Sequence, residues 1–149
     1  MIPKLFVLVA FSALFAIGDS KCAEGWLEFS NNCYFVNAER LNWTSAEAFC
    51  VARNAHLTSI HNFEENAFVS SLAADAQPRL WLNWIGGFSK NNDKIYAWSD
   101  GSNWDFALWS PVQPYPYPCV AFLINPPYMS WASANCDAST SSICKKPSV

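Results

Sequence analysis

The sequence predicts a single α+β domain cross-linked by disulfide bonds. Two stretches with helix-start signals lie in the first half of the chain, and strand-like segments lie on both sides of them. All six cysteines follow residue 20, and such an even set behind an export signal is typical of a disulfide framework. The length of 149 residues fits one domain of ordinary size.

Residues 1–20 have the layout of a secretory signal peptide. A positive charge at Lys4 precedes a mostly apolar run from Leu5 to Ile17, and small residues end the segment at Ser20. The apolar run is short for a helix that must cross roughly 30 Å of hydrocarbon, so we expect cleavage rather than membrane anchoring. The predicted mature protein, residues 21–149, is therefore secreted and extracellular.

The composition of the mature part excludes some classes of partner. The whole chain has a formal net charge of −3, and the first 20 residues contain one basic and one acidic residue, so the charge is unchanged. An acidic domain is not expected to bind nucleic acid or an anionic membrane. A zinc site needs closely spaced ligands such as C-x-x-C. The cysteines here are too widely spaced for one, although spacing alone leaves their pairing open.

The first elements are a hairpin and a helix. The apolar and aromatic segment from Gly25 to Val36 is interrupted by Ser30-Asn31-Asn32, which predicts a turn between two short strands. Thr44 and Glu47 then form the pattern of a capping box, in which each side chain bonds the other residue's backbone N–H. Helical spacing after this point places Phe49 and Cys50 inward.

A second helix and several strands follow. Asn62 is the predicted cap with Glu65 as its partner, and the helix should end near Gln77-Pro78. The predicted apolar stripe of this helix consists of Phe63, Ala67, Phe68, Ser71 and Leu72. The predicted strands are Leu80–Ile85 stopped by Gly86-Gly87, Ile95–Trp98, Val120–Ile124, Tyr128–Trp131 returning as a hairpin, and Ser142–Lys145.

Several segments resemble, in order, those of the C-type lectin-like domain. The first is Cys22 to Tyr34, which contains Trp26, and the second is Trp43 and Ala46 before Cys50. The others are Ala55–Ile60, Trp84-Ile85-Gly86-Gly87, and Trp98 to Trp109. The resemblance covers about Cys22 to Lys145 and is to the family's long form with an N-terminal hairpin. It implies two helices with antiparallel sheets, a long irregular loop and three disulfides. The implied pairs are Cys22–Cys33, Cys50–Cys144 and Cys119–Cys136, and Trp98, Trp104, Trp109 and Trp131 are expected to pack inward.

The resemblance also locates a degenerate calcium site. In sugar-binding members, calcium and sugar share a Glu-Pro-Asn or Gln-Pro-Asp motif and a Trp-Asn-Asp motif. Here the first reads Gln113-Pro114-Tyr115, the second carries Ala132 and Ser133, and the residues directly before Cys119, Tyr115 to Pro118, include no glutamate. Calcium needs six to eight oxygen ligands, several of them carboxylates. No charged residue occurs from residue 106 to 136, so we expect no cofactor and no metal at the usual site.

Asp93, Asp100 and Asp105 keep open the alternative of a calcium ion at the periphery of the loop. The proline-rich stretch Ser102–Pro118 is long enough to be functional. Within and beside it, the candidate ligand-binding residues are Gln113, Tyr115, Tyr117 and Ser133. An amide, a hydroxyl and two rings with polar tips suit contact with a sugar or a protein surface. The alternative is that the two rings only cover the strand Val120–Ile124.

The motifs of an enzyme are missing from the sequence. His56 and His61 are the only histidines, they form no H-E-x-x-H motif, and structural roles are expected for both. Glu64 and Glu65 are adjacent in a helix, so they cannot flank one glycosidic bond. We therefore predict a non-enzymatic binding protein for glycans or glycoproteins that acts without calcium. The alternative is a protein- or surface-binding module that has lost sugar recognition. Asn42-Trp43-Thr44 is a candidate glycosylation sequon.

Overall fold

The computed structural model of the chain describes residues 21–76, 82–125 and 128–149. The predicted signal peptide, residues 1–20, lies outside the described residues. So do the predicted helix end at Gln77-Pro78 and the prolines of the hairpin turn, Pro126 and Pro127.

The described residues form two helices and eight strands, which confirms the α+β class. The helices are α1 (Trp43–Val51) and α2 (Phe63–Ala76). The strands are β1 (Leu27–Phe29), β2 (Asn32–Leu41), β3 (His56–Leu57), β4 (Leu82–Phe88), β5 (Ala97–Trp98), β6 (Cys119–Asn125), β7 (Tyr128–Ala134) and β8 (Thr140–Pro147).

The strands pair in the order β1-β2-β8-β4-β6-β7, with β3 beside β8 and β5 beside β4. The expected hairpins are present as β1–β2, turned at Ser30 and Asn31 with positive φ, and as β6–β7. The β4–β8 pair is parallel, whereas the other strand pairs among the described residues are antiparallel. The last strand, β8, therefore lies in the middle of the sheet and joins its two halves.

Helix α1 starts from a different cap than the one predicted. The side-chain Oδ1 of Asn42 accepts a hydrogen bond from the backbone N–H of Ser45 at 2.8 Å, so Asn42 is the N-cap and the capping box at Thr44 is wrong. Glu47 does not reach back to the helix start, because its carboxylate accepts from the backbone N–H of Leu57 at 2.8 Å. It thereby ties α1 to β3.

Helix α2 has the predicted cap. Oδ1 of Asn62 accepts from the backbone N–H of Glu65 at 2.8 Å, and the Glu65 carboxylate accepts from the backbone N–H of His61. The predicted apolar stripe is only partly inward: Phe68 and Leu72 pack against the core, but Phe63 is 65% exposed. The buried face of the helix is instead Glu65, Asn66, Val69, Ser70 and Ala73.

Strand β4 continues through Gly86 and Gly87, so the predicted stop at these glycines is wrong. Gly86 bonds the backbone on both sides, donating to Thr58 O and accepting from Ser99 N–H, each at 2.9 Å. A Cβ atom at Gly86 would lie 2.5 Å from the carbonyl oxygen of Leu57. The glycine is therefore required by the close approach of a neighbouring chain segment and not by a turn.

Two hydrophobic clusters fill the interior. The larger contains Trp98 and Trp131, 2% and 0% exposed, with Trp104 and Trp109 packed against it as expected. The smaller surrounds Trp84 and the Cys50–Cys144 disulfide.

The three disulfides are Cys22–Cys33, Cys50–Cys144 and Cys119–Cys136, as the resemblance implied. The second spans 94 residues and joins α1 to β8. In the chain-entropy account, a loop of this size is worth about 4–5 kcal/mol.

Candidate functional site

A long irregular loop, residues 99–118, connects β5 to β6. Phe106, Leu108 and Trp109 are half-buried and pack against the larger cluster. The backbone N–H of Trp131 donates to Leu108 O at 2.7 Å, and the carbonyl of Trp131 accepts from Ser110 N–H at 2.9 Å. The middle of β7 thus holds the loop by its backbone, while the aromatic side chains of the loop enter the core.

The structure brings the candidate residues Gln113 and Ser133 together. Oε1 of Gln113 accepts from the backbone N–H groups of Ser133 and Tyr115, at 3.1 and 3.2 Å. The Ser133 hydroxyl lies 3.0 Å from the same oxygen and 2.9 Å from the carbonyl oxygen of Tyr115, and donates its single proton to one of them. Ser133 is 6% exposed. The amide oxygen and the hydroxyl therefore hold the loop against β7.

The Tyr115 and Tyr117 side chains are the outward part of the candidate site. Each residue is 47% exposed, and neither belongs to the two hydrophobic clusters of the described residues. Their backbone is fixed, since Tyr117 N–H donates to Tyr115 O at 2.8 Å. The preceding Gln113–Pro114 peptide bond is cis. The loop therefore presents two rings from a hydrogen-bonded backbone.

Tyr96 supports this loop through its phenol, and it was not predicted from the sequence as a residue of the site. Its phenol donates to the carbonyl oxygen of Tyr117 at 2.9 Å, and the residue is 8% exposed. Burial raises the pKa of the Tyr96 phenol, so it stays protonated and keeps donating. The one available signal was that a buried tyrosine needs a partner for its hydroxyl. That rule does not say where the partner lies.

The three aspartates proposed for a peripheral calcium ion are engaged within the protein. Asp93 accepts from Ile95 N–H and the Ser89 hydroxyl, which lower the pKa of its carboxyl. A hydrogen bond from His61 lowers the pKa of Asp105.

Burial alone would raise the pKa of Asp100, but hydrogen bonds from Ser102 and Ser59 outweigh it and the pKa is lowered. Among residues 21–76, 82–125 and 128–149, no group of three or more His, Cys, Asp or Glu side chains is arranged to hold a metal ion.

Asn42, the sequon asparagine, is half-buried at the start of α1. Its Oδ1 is occupied by the helix cap, and a glycan would be attached through the other side-chain atom, Nδ2. Glycosylation at this position stays a prediction.

Both histidines have carboxylate partners, Glu47 for His56 at 2.5 Å and Asp105 for His61 at 2.6 Å.

Comparisons with known proteins place this fold and loop in a family. Residues 39–146 match the family described as the Lectin C-type domain. The chain is 36% identical over 145 residues to the snaclec EMS16 subunit beta of Echis multisquamatus, covering 95% of this chain and 91% of that protein. It is 31% identical over 155 residues to a lectin of Pleurodeles waltl, covering 95% of this chain and 90% of the relative.

A solved structure described as a calcium-independent type II antifreeze protein superimposes with a TM-score of 0.78. It has 29% sequence identity, and the match covers 86% of this chain and 95% of that one. In the part of the chain that the structure describes, neither helix is long and apolar enough to cross a membrane.

Proposed function

This chain belongs to the C-type lectin domain family, and we propose that it is a secreted, non-enzymatic binding protein for carbohydrate or glycoconjugate ligands. The proposed site is the loop Gln113–Pro118, and it works without calcium at the family's usual position. The export signal predicted in residues 1–20 and the three disulfides support secretion, because disulfides persist in oxidising compartments.

One observation carries the proposal that calcium is not used. The oxygen of Gln113 that would face a cation accepts two backbone N–H bonds and lies within hydrogen-bond distance of the Ser133 hydroxyl. Hydrogen atoms point at this oxygen from the protein side, so a cation there would have to displace them. No carboxylate from residue 106 to 136 could balance its charge. The hydrogen bonds of Gln113 and Ser133 therefore hold the loop in place of a metal ion.

The exposed rings supply the binding surface. Tyr115 and Tyr117 offer flat apolar faces with phenol tips, and a ring held by a fixed backbone loses little conformational freedom on binding. A sugar presents an apolar face and a rim of hydroxyls, so one ring can stack while a phenol exchanges hydrogen bonds. The name of the superimposed antifreeze protein indicates that this fold can act without calcium, which supports the proposal.

A second candidate, binding to a protein surface, is favoured by the apolar residues beside the same loop. Val112, one position before Gln113, is 81% exposed, and Ile95, one position before Tyr96, is 73% exposed. Large exposed apolar side chains mark many protein interfaces where they form one contiguous patch. One relative, the snaclec EMS16 subunit beta, is named as a subunit, which supports this candidate.

A glycan array with purified protein tests the proposal directly. The protein is applied with calcium and with EDTA, and we expect the same glycans to be bound in both. The variant Tyr115→Ala/Tyr117→Ala should bind the best glycan at least tenfold more weakly, since contacting aromatic residues are frequent binding hot spots. Its Tm should stay within about 2 °C of the wild type, because half-exposed rings contribute little packing.

Two further variants separate the possible outcomes. Tyr115→Phe/Tyr117→Phe keeps the rings and removes the phenol tips, so it distinguishes stacking from hydrogen bonding. Leu27→Ala, in β1 at the opposite end of the sheet order, is the exposed control and should bind normally. If no glycan binds but a protein partner does, the second candidate replaces the first. If the double alanine variant melts several degrees lower and still binds fully, the rings are structural and the site is wrong.

A further inference from the structure

The proposed binding loop is hydrogen-bonded to a second exposed segment, which carries charge. We name residues 89–96, between β4 and β5, the lysine turn. At the start of the turn, the backbone N–H of Ser89 donates to Pro118 O at 2.7 Å. At its end, the Tyr96 phenol donates to Tyr117 O at 2.9 Å. Both ends of the lysine turn are therefore fixed against the part of the binding loop that carries the exposed rings.

The lysine turn is the charged neighbour of an uncharged site. Residues 106–136 contain no charged side chain. Lys90 and Lys94 are exposed, and in the described part of the chain neither ammonium group lies within ion-pair distance of a carboxylate. Asp93 is the acidic residue of the turn, so two lysines and one aspartate give it a net charge of +1. The positive charge next to the binding loop therefore belongs to the two lysines.

The carboxylate of Asp93 is used to shape the turn. Its Oδ1 accepts hydrogen bonds from the backbone N–H of Ile95 and from the Ser89 hydroxyl, each at 3.0 Å. These bonds lower the pKa of the carboxyl, so the group is ionised at neutral pH. Because its Oδ1 is bonded from the protein side, the carboxylate stabilises the turn and forms no ion pair with either lysine.

The backbone of the turn is held in one shape. The φ angle is 53° at Asn92 and 64° at Lys94, both in the left-handed region. Asparagine adopts this region more readily than most residues, whereas the Cβ of a lysine is crowded there. The hydrogen bonds of Asp93 and the two fixed ends of the turn outweigh this strain. The two lysine side chains therefore extend from a fixed backbone.

A small cleft of ≈ 200 Å³ lies within the turn. Lys90 and Asn91 line it, together with Asp93 and Tyr96. Tyr96 joins the cleft to the binding loop, since its side chain lines the cleft and its phenol bonds Tyr117 O. The ammonium and amide groups are hydrogen-bond donors, and a charged acceptor such as a carboxylate or a sulfate ester bonds donors more strongly than a neutral one does.

We propose that the ligand of the binding loop is an anionic glycan. Its carboxylate or sulfate ester lies beside Lys90 and Lys94, while a sugar ring stacks on Tyr115 or Tyr117. This inference rests on the proposed function and names the class of sugar that the same site takes. The rings supply the contact area, and the lysines determine specificity for a charged sugar. Because the whole chain has a net charge of −3, a single charged group is favoured over a long polyanion, which the acidic remainder of the domain would repel.

Matched glycans test the class of ligand. Each neutral glycan on the array is compared with its sulfated form and with its sialylated form, at low and at high salt. At low salt we expect a charged form to bind about three- to tenfold more tightly than its neutral parent, since each exposed ion pair is weak. This advantage should shrink at high salt, whereas binding of the neutral parent should not change. The two charged forms distinguish a sulfate ester from a carboxylate as the preferred group.

Two variants with the same change in charge locate the effect. Lys90→Gln/Lys94→Gln removes both ammonium groups of the lysine turn. Lys21→Gln/Arg40→Gln removes two exposed positive charges elsewhere in the domain. The first variant should lose the preference for the charged glycan and still bind the neutral parent, whereas the second should keep the preference. Both should melt close to the wild type, because exposed side chains contribute little to stability.

The outcomes separate this inference from the proposed function. If neutral and charged forms bind equally and Tyr115→Ala/Tyr117→Ala weakens both, the binding loop is correct and the anionic class is wrong. If the two charge variants weaken binding of the charged glycan equally, the net charge of the domain is responsible and the role of the lysine turn is wrong. If no glycan binds at all, the proposed function fails and this inference fails with it.

Discussion

The body of the domain and its loop half are held together by different forces. The body consists of the described residues outside 106–136, with α1, α2, β1–β5 and β8, and contains charged contacts such as Glu47 with His56 and Glu65 with Tyr34 and Lys145. The loop half, residues 106–136, has no charged residue. It is held by aromatic packing, neutral hydrogen bonds and the Cys119–Cys136 disulfide.

This difference means that the two halves should depend differently on pH and on salt concentration. Buried charged pairs depend on protonation and need complete hydrogen bonding, which the body supplies around Glu65. Neutral contacts are nearly insensitive to salt and to pH. A loop held by such contacts keeps its shape under varied conditions and leaves Tyr115 and Tyr117 exposed. The ionisable contacts therefore lie in the body, and the loop half is held by neutral contacts.

The largest effect is expected from removing the tryptophan that joins the two halves. Trp131 is 0% exposed, and its Nε1–H donates to Oδ1 of Asn66 at 2.9 Å. Trp131→Ala should cost about 3–5 kcal/mol, because it leaves a large cavity and an unpaired amide oxygen. Denaturant unfolding measures this loss. Hydrogen exchange should also show the segment 104–110 opening well before the body.

Trp84→Ala is the matched variant in the body. Trp84 is 1% exposed, and its Nε1–H donates to Leu41 O at 3.0 Å, so a similar total loss is expected. Here the loop segment should open only together with the whole domain. Equal exchange patterns in the two variants would mean that the halves form one cooperative unit, and the comparison would fail.

Acid should weaken the protein by a smaller amount, through groups outside the loop half. The pKa values of Asp93, Asp100 and Asp105 are lowered by their hydrogen bonds in the folded state. Their contribution to stability is full above the ordinary carboxyl pKa of about 4 and is lost as the pH falls through the lower folded values. The urea midpoint should therefore fall between pH 5 and pH 3.

Asp100→Asn tests the origin of this acid response. The variant should be less stable at pH 5, since the amide accepts more weakly from Ser59 and Ser102, and its midpoint should fall less toward pH 3. A wild-type midpoint that does not change between pH 5 and pH 3 would contradict the assignment of these carboxylates.

The smallest effect is expected from calcium. An ion bound at a hundredfold excess over its Kd would stabilise the fold by about 2.7 kcal/mol, a shift of several degrees in Tm. Because Gln113 and Ser133 bond each other and residues 106–136 contain no charged side chain, we expect equal Tm values in millimolar calcium and in EDTA. A calcium-dependent rise that Gln113→Ala removes would show that the loop site binds the ion. A rise removed by Asp100→Asn would place it at the periphery instead.

The local pattern of the sequence was sufficient for the elements whose signals are local. The Asn62 cap, the turn at Ser30-Asn31 and the β6–β7 hairpin follow from neighbouring residues, and the structure has all three. The predicted end of the strand at Gly86 was wrong. That glycine is required by the close approach of the Leu57 carbonyl oxygen, from a residue 29 positions away in the sequence. The predicted cap of α1 was wrong because the Glu47 carboxylate accepts a hydrogen bond from Leu57 N–H in β3 and does not bond the start of its own helix.

By itself, the sequence determined the fold class, the even set of cysteines and the absence of charge from residue 106 to 136. These are properties of composition and of short-range order, which a linear chain displays directly. Only the tertiary structure decided that Gln113 bonds Ser133, that Tyr96 supports Tyr117 and that His61 meets Asp105. The partners in these contacts are 20 to 44 positions apart. Hydrogen bonds act over about 3 Å, so such pairs exist only after the chain has folded.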